Sequence, residues 1–279
     1  MSYKIVVDSC GELPEKLRKD GRFENVPLEI FVDDARIIDD DTFDQQDFLK
    51  KVAASPNCPK STCPSPERYM RAYDCAADHI YAVTLSAKLS GSYNSAELGK
   101  ALYIEEKGEK QIHVFDSKSA SVGETLIAMK IQECEEAGMS FGEVIAAVDT
   151  YIAEMDTYFV LESLEALRKN GRLCNLKAFV ASALNIKPVM GSTDEGEICQ
   201  LDQARGVNRA LDKMIRIMLD RVQDYENRIL AIAHCNCPQR ARALVEKIQG
   251  MARFKDIFVV DTAGISSLYA SDGGIIMVV

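Results

Sequence analysis

Three short apolar runs constrain this chain more than any other feature. Tyr3–Val7, Ile80–Leu85 and Ile112–Phe115 are each four to six residues long, and each passes through a polar loop into a helical pattern. Asp8-Ser9 closes the first run, before a helical stretch over Leu13–Lys19 that stops at Gly21. A Ser/Gly loop and the pattern Asn94–Glu106 follow the second; Asp116-Ser117 and a helix from Gly123 to Ala137 follow the third. Short buried strands separated by longer helices imply βαβ units, a largely parallel sheet and right-handed crossovers.

The segment from Val26 to Asp44 departs from this rhythm. Val26–Val32 reads as a strand, Asp33-Asp34 as a turn into Arg36-Ile37-Ile38, and Gln45–Ala53 as a helix, which together make a hairpin-like excursion. The acids Asp39, Asp40, Asp41 and Asp44 lack the alternation, glycine and closing glutamate of a calcium loop. They read as a solvated turn with acids at a helix start.

Beyond Asp156 the pattern changes again. Phe159–Arg168 carries Val160, Leu161, Leu164 and Leu167 at helical spacing, with Gly171 as the stop. An apolar helix over Leu176–Ile186 should precede a strand at Ile186–Met190 and another at Glu197–Leu201. Helices Val207–Asp220 and Gln239–Gln249 and strands Ile229–Ala233, Ile257–Val260 and Ile275–Val279 complete the series. The expected architecture is therefore α/β in two domains, to which the family resemblance given below adds a ligand cleft between them. Residues 1–156 would hold a parallel sheet, and residues 157–279 a mixed one.

Charge narrows the partners. A formal charge of −10 disfavours nucleic acid and anionic membrane surfaces. No run approaches the ~18 apolar residues of a membrane span, and Ile5-Val6-Val7 is too short for a signal peptide, so a cytoplasmic location is expected. Nine cysteines, an odd number, read as reduced thiols rather than a disulfide framework. Cys235 and Cys237, after His234, have no second pair at ligand spacing, so no metal is expected. Dinucleotide and phosphate-loop glycine motifs are absent, and no cofactor is expected.

The loops after the strands are crowded with hydroxyls. Ser9, Ser86, Ser90, Ser92, Ser95, Ser117, Ser119 and Ser121 all fall there, while Ser61-Thr62-Cys63-Pro64-Ser65-Pro66 opens another helix with Ser65 at its N-cap. In open α/β sheets ligands lie at the carboxyl ends of the strands. Hydroxyls and free backbone N–H groups there form an anion site that needs no lysine. The competing reading, a serine hydrolase or esterase on a small acyl substrate, needs a histidine base. Only His234 ends a strand; His79 and His113 sit at strand starts, and no G-x-S-x-G elbow exists.

Asp8-Ser9, Ser61–Pro66, the block Leu89-Ser90-Gly91-Ser92-Tyr93-Asn94-Ser95-Ala96, Phe115-Asp116-Ser117 and Leu164–Arg172 resemble, in order and spacing, the DegV family over essentially the whole chain. The resemblance implies a two-domain carrier, not an enzyme, that binds a long-chain fatty acid such as palmitate between its domains. It also implies a role in lipid transport or fatty-acid metabolism, with a separate fatty acid kinase as a partner. By resemblance Ser61, Thr62, Ser90 and Ser92 would bind the carboxylate. Arg172 and Arg205 would serve partner docking or activity. The apolar stretch Ala178–Ile186 would wall the tunnel. Two departures stand out: Cys63 replaces the usual glutamine, and Ala270 stands where many similar proteins carry a histidine. Tyr269 or Ser271 would then supply a replacement hydroxyl. The alternative for Gly264–Gly274 is a tight turn into the last strand.

Overall fold

The computed structural model describes residues 2–173 and 185–279. The first half is built on β1 (Tyr3–Asp8), β2 (Phe23–Val26), β6 (His79–Thr84) and β7 (Gln111–Asp116), a parallel sheet in the order β2-β1-β6-β7. An antiparallel sheet of β3 (Glu29–Val32), β4 (Ala35–Ile38) and β5 (Lys60–Thr62) leans out from it, in the order β4-β3-β5. The helices of this half are α1 (Glu15–Arg18), α2 (Gln45–Ala54), α3 (Pro66–Tyr73), α4 (Ser92–Lys107), α5 (Val122–Glu136) and α6 (Phe141–Glu154).

Both faces of the parallel sheet are covered, and the strand pleat assigns residues to each. Ile5, Val7, Tyr81, Val83 and Phe115 pack against α5 and α6 through Ile127, Ile131, Val144 and Val148. Val6, Ile80, Ala82 and Val114 point the other way, onto Tyr69 and Tyr73 of α3 and Ala96 and Tyr103 of α4.

The second half holds β8 (Thr157–Val160), β9 (Ile186–Ser192), β10 (Ile198–Arg205), β11 (Ile229–His234), β12 (Asp256–Asp261) and β13 (Ile275–Val278). They form one mixed sheet, β10-β9-β8-β13-β11-β12, in which only β11 and β12 run parallel. Its helices are α7 (Glu165–Lys169), α8 (Val207–Arg221), α9 (Pro238–Gln249) and α10 (Gly264–Ala270). Met214 and Met218 of α8 and Leu244 and Ile248 of α9 cover one face, against Tyr158, Val160, Leu230 and Ile232. The opposite face looks toward the first half.

Several expectations are corrected. Phe159–Val160 belongs to a central strand, not a helix, and only Glu165–Lys169 is helical nearby. All four residues of β8 are buried, so both faces carry apolar side chains and the run loses the alternation that marks a strand. Gly264–Ala270 is a helix rather than a turn; the tight turn comes after it, at Gly273 with φ +91. Helix α6 has no counterpart in the sequence reading, although its capping box, Ser140 with Glu143 three residues on, is a legible signal. The expected tunnel helix over 176–186 lies mostly outside the described residues; Ile186 opens β9.

Gly99 sits where α4 crosses α3. A Cβ there would stand 2.6 Å from Pro66 O and 2.8 Å from Tyr69 Cβ. Removing a mid-helix glycine gains about 0.5–1 kcal/mol of helix propensity, whereas forcing apart a packed crossing costs about 1–3 kcal/mol. Gly99→Ala is therefore expected to lower unfolding free energy by about 1–2 kcal/mol in urea denaturation. A neutral or stabilising result would show that the crossing is slack.

Candidate functional site

A cavity of about 330 Å3 lies between the carboxyl ends of the parallel strands and the inner face of the mixed sheet. This is the lower end of the ~300–1,000 Å3 usual for small-molecule sites. Its long wall is β8 and the residue after it, where Thr157, Phe159 and Leu161 face inward at the strand period of two. Ile276 of β13 and Leu85, Leu89, Leu167 and Ile265 complete an apolar lining. At one end the lining turns polar, with Ser61 and Thr62 of β5, Cys63, Ser90 and Gly91 ahead of α4, Arg172, and Tyr269 of α10.

This polar end is assembled from distant segments. Ser61 Oγ and Tyr269 OH are 3.1 Å apart, linking β5 to α10 across 208 residues. Asn170 donates Nδ2 to Pro59 O at 3.0 Å, which ties the end of α7 to the start of β5. Arg172 donates Nε to Leu89 O at 3.0 Å and also bonds Asn170 O, so backbone carbonyls hold its guanidinium at the Ser90 loop. Ser90 Oγ accepts from Ser92 N at 3.2 Å. Thr62 is exposed, and its hydroxyl has no hydrogen-bond partner among the described residues.

Three of the anticipated residues stand elsewhere. Ser92 is wholly buried and does not line the cavity; its hydroxyl donates to Asp8 Oδ2 at 2.5 Å and lies 2.8 Å from Tyr69 OH. It braces the tip of β1 and has no hydrogen left for a ligand. Ser271 caps α10 at φ 58, outside the cavity, and Arg205 ends β10 on the exposed surface. Ala270 does line the cavity, but as an apolar contact beside Tyr269. No histidine lines it among the described residues. His234 lies instead 3.3 Å from Asp261, and burial lowers its pKa. Nor does any group of three His, Cys, Asp or Glu among those residues suit a metal ion.

A family model described as an uncharacterised protein family, DegV, matches residues 2–278. The chain belongs to the DegV family. A DegV domain-containing protein of Streptococcus pneumoniae is 34% identical over 284 residues, covering 99% of this chain and 98% of its own. Among solved structures, the chain is similar to a DegV-family protein from Ruminococcus gnavus refined with vaccenic acid. That pair shares 57% identity and a TM-score of 0.98, with 100% of both chains covered. It is also similar to the fatty acid kinase (Fak) B3 protein of Streptococcus pneumoniae loaded with linoleic acid. There the identity is 33% and the TM-score 0.90, over 100% of this chain and 99% of the other.

This DegV protein has a feature that the sequence reading missed: four buried carboxyl groups behind the cavity. Asp39, expected in a solvated turn, is 2% exposed and accepts from Gly264 N at 2.6 Å, Ile265 N at 2.9 Å and Ser9 Oγ at 2.9 Å. It caps α10, the helix that carries Tyr269 into the cavity. Glu12 accepts from Ser121 Oγ at 2.6 Å and Ala263 N at 3.3 Å, just ahead of the same helix. Burial, outweighing these hydrogen bonds, pushes Asp39 to about 6 and Glu12 to about 7. Asp8 is raised for the same reason, and Glu124, beside Asp8, is driven well above the usual carboxylate range by burial and then by that neighbouring charge.

A folded-state pKa above the ~4 of an unfolded carboxylate means protonation favours the fold. The contribution is complete below the unfolded value and is lost as pH rises through about 6 for Asp39 and about 7 for Glu12. For Glu12 the difference is on the order of 3 kcal/mol. Unfolding free energy should thus fall between pH 5 and pH 7.5, and Glu12→Gln should flatten that slope; an unchanged slope would remove Glu12 as its source.

Proposed function

We propose that this protein binds one long-chain fatty acid in the cavity, with its carboxylate at the end formed by Ser61, Thr62, Ser90 and Tyr269. The observation that carries this reading is the lining: an apolar wall along β8, ended by hydroxyls. The fatty acids in the R. gnavus and Fak B3 structures support the same reading. Each buried methylene contributes about 0.8 kcal/mol, so a C16 tail supplies on the order of 10 kcal/mol before the costs of association. Removing the carboxylate from water costs several kcal/mol unless it is hydrogen-bonded. Thr62, with an uncommitted hydroxyl, and the Ser61–Tyr269 pair are the donors.

We further infer that the bound carboxylate is presented to a fatty acid kinase, in lipid transport or fatty-acid metabolism. Arg172 is the cation at the polar end of the cavity, held by carbonyls rather than by a carboxylate, which leaves its charge available to a transferred phosphoryl group. Arg205, exposed at the end of β10, suits docking of the partner rather than contact with the lipid. A reducing cytoplasmic setting agrees with the free cysteines of the described residues. No helix among those residues is long and apolar enough to cross a membrane.

Mass spectrometry of lipid extracted from purified protein should find a fatty acid of roughly C14–C18, bound with micromolar or better affinity. An empty cavity, together with no calorimetric signal for palmitate or oleate, would end the proposal. Thr62→Ala should weaken binding by about 1–3 kcal/mol, the usual worth of a hydrogen bond to a charged group. Arg172→Ala should reduce acyl-phosphate formation by an added kinase more than it reduces lipid affinity. Equal losses would leave Arg172 as a lipid contact alone.

A further inference from the structure

The end of the cavity remote from Ser61 and Tyr269 is also polar. Leu161 packs with Leu167, Tyr269 and Ala270, near the proposed carboxylate end. Four residues back along β8, about 13 Å at the strand rise of ~3.3 Å per residue, stands Thr157. Its Oγ1 lies 2.7 Å from Ser119 Oγ, in the loop between β7 and α5. Both residues line the cavity and are more than nine-tenths buried, at 3% exposure for Ser119 and 7% for Thr157. An apolar tail alone has no need of hydroxyls at this depth.

The hydrogen count decides what the pair can offer. Two hydroxyls carry two hydrogens, and their mutual bond uses one. If Thr157 donates, Ser119 is left with Ala120 O at 3.4 Å, a long and weak contact. If Ser119 donates, the hydrogen of Thr157 has no acceptor among the described residues and is free to turn into the cavity. The second arrangement leaves one donor waiting for an oxygen on the ligand. Gly123 leaves room for the pair, since a Cβ there would stand 2.1 Å from Ser119 Oγ.

We propose that Ser119 and Thr157 form a tail subsite that lets this protein accept long-chain fatty acids bearing a hydroxyl at or near the ω end. The inference rests on the fatty-acid reading above. A plain tail loses little against the pair, because Thr157 can then donate to Ser119 and Ser119 to Ala120 O, which uses both hydrogens. A hydroxylated tail accepts the Thr157 hydrogen on its oxygen and can donate its own to a lone pair of Ser119 Oγ, and so escapes the penalty of a buried, unpaired hydroxyl.

The test uses the full chain stripped of lipid and calorimetric Kd values for palmitate, ω-hydroxypalmitate, ω-hydroxymyristate and β-hydroxypalmitate. In the wild-type protein at least one ω-hydroxy acid should bind within about threefold of its unsubstituted parent, whereas a featureless apolar tunnel would reject both by about tenfold or more. Thr157→Val should raise the ratio of ω-hydroxy to parent Kd by about tenfold, and Thr157→Ser should restore it. The ratio for β-hydroxypalmitate, whose hydroxyl stays at the carboxylate end, should not move. Rejection of both ω-hydroxy acids by the wild type overturns the subsite while palmitate binding upholds the fatty-acid reading. An unchanged ratio in Thr157→Val also overturns the subsite and leaves the pair as a clamp between the two halves. Failure of palmitate itself to bind overturns both readings.

Discussion

The first two turns of helix α5 have no free face, and the rest of the molecule is arranged around that fact. From Val122 to Ala128 every residue is buried. Ile127 and Ile131 pack against the parallel sheet, while Val122 and Leu126 meet Ala231, Ala233 and Val278 of the mixed sheet. A helical segment buried on every side is stable only when enclosed, so the start of α5 holds the two sheets together and sets their separation there. The cavity is the space that remains beyond that end, bounded by α10 and by β5. Its floor, the Ser119 loop, leads directly into α5.

The electrostatic design is unusual because negative charge lies behind the site where an anion is proposed to bind. Asp8, Glu12, Asp39 and Glu124 are all buried there. Four ionised carboxylates at that depth would oppose a fifth on the ligand. Burial raises each of their pKa values, which reduces the opposing charge, and Asp39 spends its oxygens on the first N–H groups of α10. The cost of burying Asp39 is offset by a fixed position for Tyr269. Ser92 serves the same inner layer, holding Asp8 rather than a ligand.

Much of this was legible in the sequence. Short apolar runs, two of them ending in Asp-Ser and each followed by a helix of period 3.6, determined a parallel α/β unit, and the change of rhythm after Asp156 determined a second unit of a different kind. The hydroxyl-rich loops marked the strand ends that open onto the cavity, and Ser61, Thr62 and Ser90 stand there. Local periodicity and local turn chemistry encode such features within a dozen residues. The tertiary structure alone decided which hydroxyls face the cavity and which face a carboxylate, because Asp8 meets Ser92 across 84 residues and Asp39 meets Gly264 across 225. It alone made β8 a strand, since burial on both faces erases the alternation that would reveal one. It alone brought Thr157 to Ser119, because a hydrogen bond between two sheets depends on how they pack and leaves no spacing in the chain to read.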